Sequence, residues 1–132
     1  MSLQEQGIEH KHIAETLAAT VRVTLKSRKD LAALLSDLAR RIPRESIAGA
    51  PFCIMQFVTS VTDGDDAEIG FPVSQPVQAG EIQTRVFPPL QVLSLVHHGP
   101  VEEVNATYRK LYGSAGAQGL ISDEFAREVY PD

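Results

Sequence analysis

The stretch Thr16–Leu25, "TLAATVRVTL", runs on through "KSRKDLAALLSDLARRIP" to Pro43, and within it the spacing of apolar residues changes. Leu17, Ala19, Val21, Val23 and Leu25 fall at every second position, the period of a strand with one face buried. Beyond Lys26, Leu31, Leu34, Leu35, Leu38 and Ile42 recur at intervals of three and four, the stripe of an amphipathic helix. Ser27 and Asp30 stand at capping-box spacing ahead of that stripe, and Pro43 closes it. A strand that passes directly into a helix of this length predicts a mixed α+β architecture.

Working outward, "FCIMQFV" at 52–58 is almost continuously apolar, as a strand covered on both faces would be. "TDGDD" then turns the chain into "AEIGFPV", a second paired strand. The later half repeats the order. "EIQTRVFPP" crosses over and "LQVLSLVHH" reads as a strand. Gly99-Pro100 then opens a helix with apolar positions Val101, Val104, Tyr108, Leu111 and Tyr112, which the glycines at 113, 116 and 119 bring to an end. In "FAREVY" at 125–130, Ala126, Glu128 and Tyr130 share one strand face while Arg127 and Val129 take the other. Two strand-helix-strand units result, giving one domain over 1–132 with an antiparallel sheet, two helices and a cleft where the halves meet.

Composition narrows the function. The chain has 132 residues, 43% hydrophobic and 22% charged, with a formal net charge of -5. That charge argues against direct nucleic-acid binding, which needs clustered Lys and Arg. The one cysteine, Cys53, lies inside an apolar run and fits a reducing, cytoplasmic setting. No apolar run is long enough to span a membrane.

His97 and His98, adjacent on a strand, would point to opposite faces and could not share a metal, and His10 and His12 have no Cys or His-x-x-x-His partner. Neither a metal nor a cofactor is expected. His97 reads as structural or pocket-lining, and Glu102 and Glu103 at the helix start disfavour a bound phosphate. Glu128 is the more pointed residue, because a carboxylate sharing a face with Ala126 and Tyr130 is costly unless it is paired or solvated at an edge. Glu68, opposite in pleat to Ile69 and Phe71, poses the same question. If both acids face one cleft, they become counter-charges for a lipophilic cation, with walls drawn from Phe52, Phe57, Phe71, Phe87, Tyr108, Tyr112 and Tyr130.

"AEIGFPV", "LSLVHHGPVEEVNATYRKLY" and "REVY", in that order, resemble the GyrI-like small-molecule-binding domain, also known as the effector-binding part of AraC-type and MerR-type transcription regulators. The resemblance covers about residues 12 to 130 and implies two fused strand-helix-strand-strand repeats with a ligand cleft between them. It implies cleft positions for Glu128, which matches the acid of the Glu-Val-Tyr motif, for Glu68, and for His97 before the Gly-Pro step. Phe57, Phe71, Tyr108, Tyr112 and Tyr130 complete the expected ligand-binding set. Departures are Val101 where the family commonly has an aromatic, the absence of tryptophan, and an end at Asp132 where the family usually adds a last strand. An edge left open in this way raises the expectation of a homodimer.

The expected function is capture of a lipophilic small molecule, cationic if the glutamates are its counter-charges, by a stand-alone sensor or sequestering module or by the effector domain of a regulator. One alternative implied by the resemblance is hydrolysis of reactive cyclopropane-containing electrophiles. Glu128 would then be the base, with Tyr130 or Tyr108 the hydrogen-bonding acid. A second is inhibition of a topoisomerase through the acidic surface "TDGDDAE".

Overall fold

The computed structural model describes residues 3–27, 29–56, 65–120 and 125–131. In chain order its elements are β1 (Glu9–Ile13), β2 (Thr16–Leu25), α1 (Lys29–Arg41), β3 (Phe52–Gln56), β4 (Asp65–Pro72), β5 (Gln83–Phe87), β6 (Leu90–Ser94), α2 (Val104–Ala117) and β7 (Phe125–Val129), with short 3-10 turns before β1, after α1 and before α2. This is an α+β fold with antiparallel sheets and two helices. The chain forms two compact units, one from Met1–Ala14 and Pro89–Asp123, the other from Glu15–Pro88 and Glu124–Asp132.

The second unit holds a five-stranded sheet of order β5-β2-β4-β3-β7, every neighbouring pair antiparallel. β2 occupies the range its alternation predicts, and its Ala19, Val21 and Leu25 are buried with Leu31 and Leu38 of α1 and Ile42 just past its end. Leu34 and Leu35 pack at the margin of the same core. The Ser27 hydroxyl accepts a hydrogen bond from the Lys29 amide at 3.1 Å and the Ser27 carbonyl accepts one from the Asp30 amide at 3.2 Å, so Ser27 caps the start of α1 through Lys29 and not through the Asp30 pairing of a capping box. In β3, Cys53 and Met55 join this helix-side core, whereas Phe52 and Ile54 join a smaller cluster with Ala18 and Phe87 on the opposite face. The apolar run of β3 is therefore explained by cover on both sides. Its continuation through Phe57, and most of the "TDGDD" turn, lie outside the described residues.

The strands of the second half pair with strands of the first. β7 pairs with β3 of the first half, Cys53 opposite Glu128 and Met55 opposite Ala126, while β6 forms a separate two-stranded ladder with β1. Periodicity shows that a strand exists but carries nothing about its partner. β6 is also shorter than "LQVLSLVHH" predicts. It ends at Ser94, so His97 and His98 lie in the following loop, and the expectation that they alternate across a strand does not apply.

In the first unit, Pro100 has an extended ψ of 148° and stands just before a 3-10 turn, Val101–Glu103, that leads into α2. Gly113 and Gly116 lie within α2 and do not end it. The stop is Gly119, at φ 74°, where the Gly119 amide donates to the Gly116 carbonyl and the Leu120 amide to the Ala115 carbonyl. That is a Schellman C-cap, which requires a left-handed residue. Gly119→Ala is expected to lower stability by about 1 kcal/mol, whereas Gly113→Ala, with open space around an added Cβ, should be neutral or stabilising in urea melts.

Candidate functional site

The candidate residues divide between the units. In the first unit, the His97 ring joins the end of its loop to α2. Its Nε2 lies 2.8 Å from the Pro100 carbonyl, which only accepts, so Nε2 carries the proton. Nδ1 lies 2.6 Å from the Thr107 hydroxyl. With both ring nitrogens engaged, His97 serves as a brace between the Gly-Pro turn and α2. Tyr108 and Tyr112, one helical turn apart on α2, stack with ring centroids 6.3 Å apart, and Tyr108 is buried.

In the second unit the two acids lie on opposite faces of one sheet. Glu128 is directly opposite Cys53, and Cys53 is directly opposite Ile69, so Glu128 shares the α1 face with Ile69 and Phe71. Glu68, one residue before Ile69, points the other way. Phe71 is buried in the α1-side core, 7% exposed, and Tyr130 packs against that core. The Tyr130 hydroxyl donates to Glu128 Oε1 at 2.7 Å, so the half-buried carboxylate on edge strand β7 is oriented by the phenol two residues on. Glu68 is 9% exposed and meets Arg85 Nη2 at 3.1 Å. Within this unit the two acids therefore face different surroundings, Glu128 beside Tyr130 and Glu68 beside Arg85.

Around Glu68 the sheet carries side chains that alternation alone did not mark as functional. Arg85 lies 4.3 Å from the Phe87 ring centroid, and Arg127 lies 5.6 and 5.3 Å from the centroids of Phe52 and Phe87. The two phenyl rings meet edge to face at 5.8 Å. Arg-x-Phe in β5 and Phe-x-Arg in β7 put guanidinium and phenyl on one strand face, a signal present in the sequence but readable only once β5 and β7 are known to share a sheet. Among the described residues no group of three or more His, Cys, Asp or Glu side chains could hold a metal ion. No helix among them is long and apolar enough to cross a membrane.

Residues 8–132 match the model of the GyrI-like small-molecule-binding domain, nearly the whole chain. The chain belongs to the GyrI-like family. The fold of this GyrI-like domain is similar to that of the EcmrR C-terminal domain in its crystal structure, with a TM-score of 0.82 at 18% identity over 95% of this chain and 84% of that one. It is similar also to EcmrR in a cryo-EM structure of an EcmrR–DNA complex, with a TM-score of 0.82 at 17% identity over 95% of this chain. There this chain matches 49% of the EcmrR chain. At such identities the likeness is one of fold. No curated protein sequence matches it.

Proposed function

We propose that the GyrI-like domain binds a lipophilic cation at the Glu128–Tyr130 pair, either as a stand-alone sensor or as the effector part of a transcription regulator. The observation that carries this reading is the 2.7 Å hydrogen bond from Tyr130 to Glu128. It sets a carboxylate beside an aromatic ring that packs on an apolar core. A cation with apolar substituents gains from the charge and from the ring face, while its hydrocarbon part gains from the neighbouring apolar surface. The likeness to the C-terminal domain of EcmrR, a protein also captured on DNA, supports the regulator role.

Thermal shift with 2-naphthylmethylammonium tests the binding. Stabilisation of the wild-type chain is expected, with affinity at least tenfold lower in Glu128→Gln, about 1.4 kcal/mol. No stabilisation by this or other planar cations, or an equal response in Glu128→Gln, would count against the reading.

The same pair supports hydrolysis as a second reading, since it places a carboxylate base and a phenol within hydrogen-bond reach of each other. Turnover of a cyclopropane-containing electrophile that is lost in Glu128→Gln would favour it. Residues 62–64 of the acidic stretch "TDGDDAE", the surface for a protein-inhibitor role, lie outside the described residues.

A further inference from the structure

The sheet face opposite α1 carries Arg22, Glu68, Arg85 and Arg127 above a floor of Ala18, Phe52, Ile54 and Phe87. In a chain of net charge -5, three arginines on one face stand against Glu68 and, one pleat along β4 beside the exposed end, Asp66. The geometry points to this face as a binding site for a flat organic anion, a carboxylate on an aromatic ring, held by Arg127 and Arg85 against the Phe52–Phe87 platform.

Three observations support the site. The Arg127 guanidinium lies over both phenyl rings, and among the described residues no carboxylate forms an ion pair with it. Glu68 engages Arg85 through Nη2, which leaves the rest of that planar fork to a second acceptor. Finally, burial pulls Arg127 below the ordinary arginine range, with Glu68 opposing the shift and Arg85 adding to it. An incoming carboxylate would add to the partial compensation that Glu68 gives Arg127 and would offset the repulsion from Arg85, while its ring would extend the apolar floor. A cation placed there would meet repulsion from both arginines. The site is distinct from the Glu128–Tyr130 pair, which faces α1 across the sheet.

Isothermal titration of the full chain with 2-naphthoate, with acetate and 2-naphthylmethylammonium as comparisons, tests the proposal. The expected result is that naphthoate binds at least tenfold more tightly than acetate. Arg127→Gln should weaken naphthoate at least tenfold, Arg127→Lys by less, and Glu128→Gln should leave it unchanged. No binding of naphthoate, wild-type affinity in Arg127→Gln, or loss of naphthoate binding in Glu128→Gln would overturn it. Should Arg127→Gln not fold, Arg127→Lys and Arg85→Gln decide, and wild-type affinity in both would overturn the site. Failure of the ammonium compound to bind bears on the Glu128–Tyr130 reading alone.

Discussion

Gly70→Ala is expected to lower stability by about 3 kcal/mol, at the upper end of overpacking costs. Gly70 sits in β4 between Thr20 of β2 and Phe52 of β3. A Cβ built there would come within 2.7 Å of the Ala19 carbonyl oxygen, 2.8 Å of Thr20 Cγ2 and 3.0 Å of Phe52 Cζ. Backbone on a central strand has little room to give, so the phenyl ring must move or the ladder must open. In a chain of this size the change corresponds to a fall in Tm of about 10 °C. Because Phe52 forms the platform under Arg127, Gly70→Ala should also weaken naphthoate binding. A melting temperature within about 2 °C of wild type would show that Phe52 does not lie on Gly70 as described.

Leu38→Ala carries the other large effect, about 3 kcal/mol lost in urea denaturation. Leu38 is 1% exposed and sits at the centre of the contact between α1 and the sheet, among Ala19, Cys53 and Ile69. Truncation removes its transfer free energy and leaves a cavity that rigid neighbouring strands cannot fill. Leu35→Ala, at the margin of the same core, should cost less than half as much. Equal losses at the two positions would contradict the placement of α1.

The parts of this fold legible in the sequence are those fixed by local period. The ten residues of β2, the leucine stripe of α1 and the two faces of β7 follow from which side chains must leave water. The pairing of β7 with β3 was not legible, because strand partners are chosen by long-range packing that leaves no period in either segment. Three glycines in sequence suggest a stop for α2, but glycine disfavours helix by only about 1 kcal/mol, and helical neighbours override that at Gly113 and Gly116. Only Gly119 adopts the left-handed backbone that stops the helix.

The candidate site was legible to a similar degree. Alternation in "FAREVY" put Glu128 and Tyr130 on one face, and the hydrogen bond between them follows from that shared side. Alternation likewise set Glu68 apart from Phe71, and the register adds that it also sets Glu68 apart from Glu128. What sequence could not reveal is that Arg85 neutralises Glu68, since β4 and β5 meet only through β2. Glu68 therefore meets an arginine across the sheet, a contact that no local pattern in β4 announces. The contacts of the His97 ring with Pro100 and Thr107 are likewise set by the loop geometry and not by any period in the sequence.

The most direct measurement is a titration of the isotopically labelled chain with 2-naphthylmethylammonium, followed by the backbone amide resonances of residues 126–130. Binding at the Glu128–Tyr130 pair requires that these resonances shift together with saturation, Glu128 most strongly, and that the shifts vanish in Glu128→Gln. Resonances of β7 that stay fixed while the compound binds elsewhere, or shifts that persist unchanged in Glu128→Gln, would contradict it.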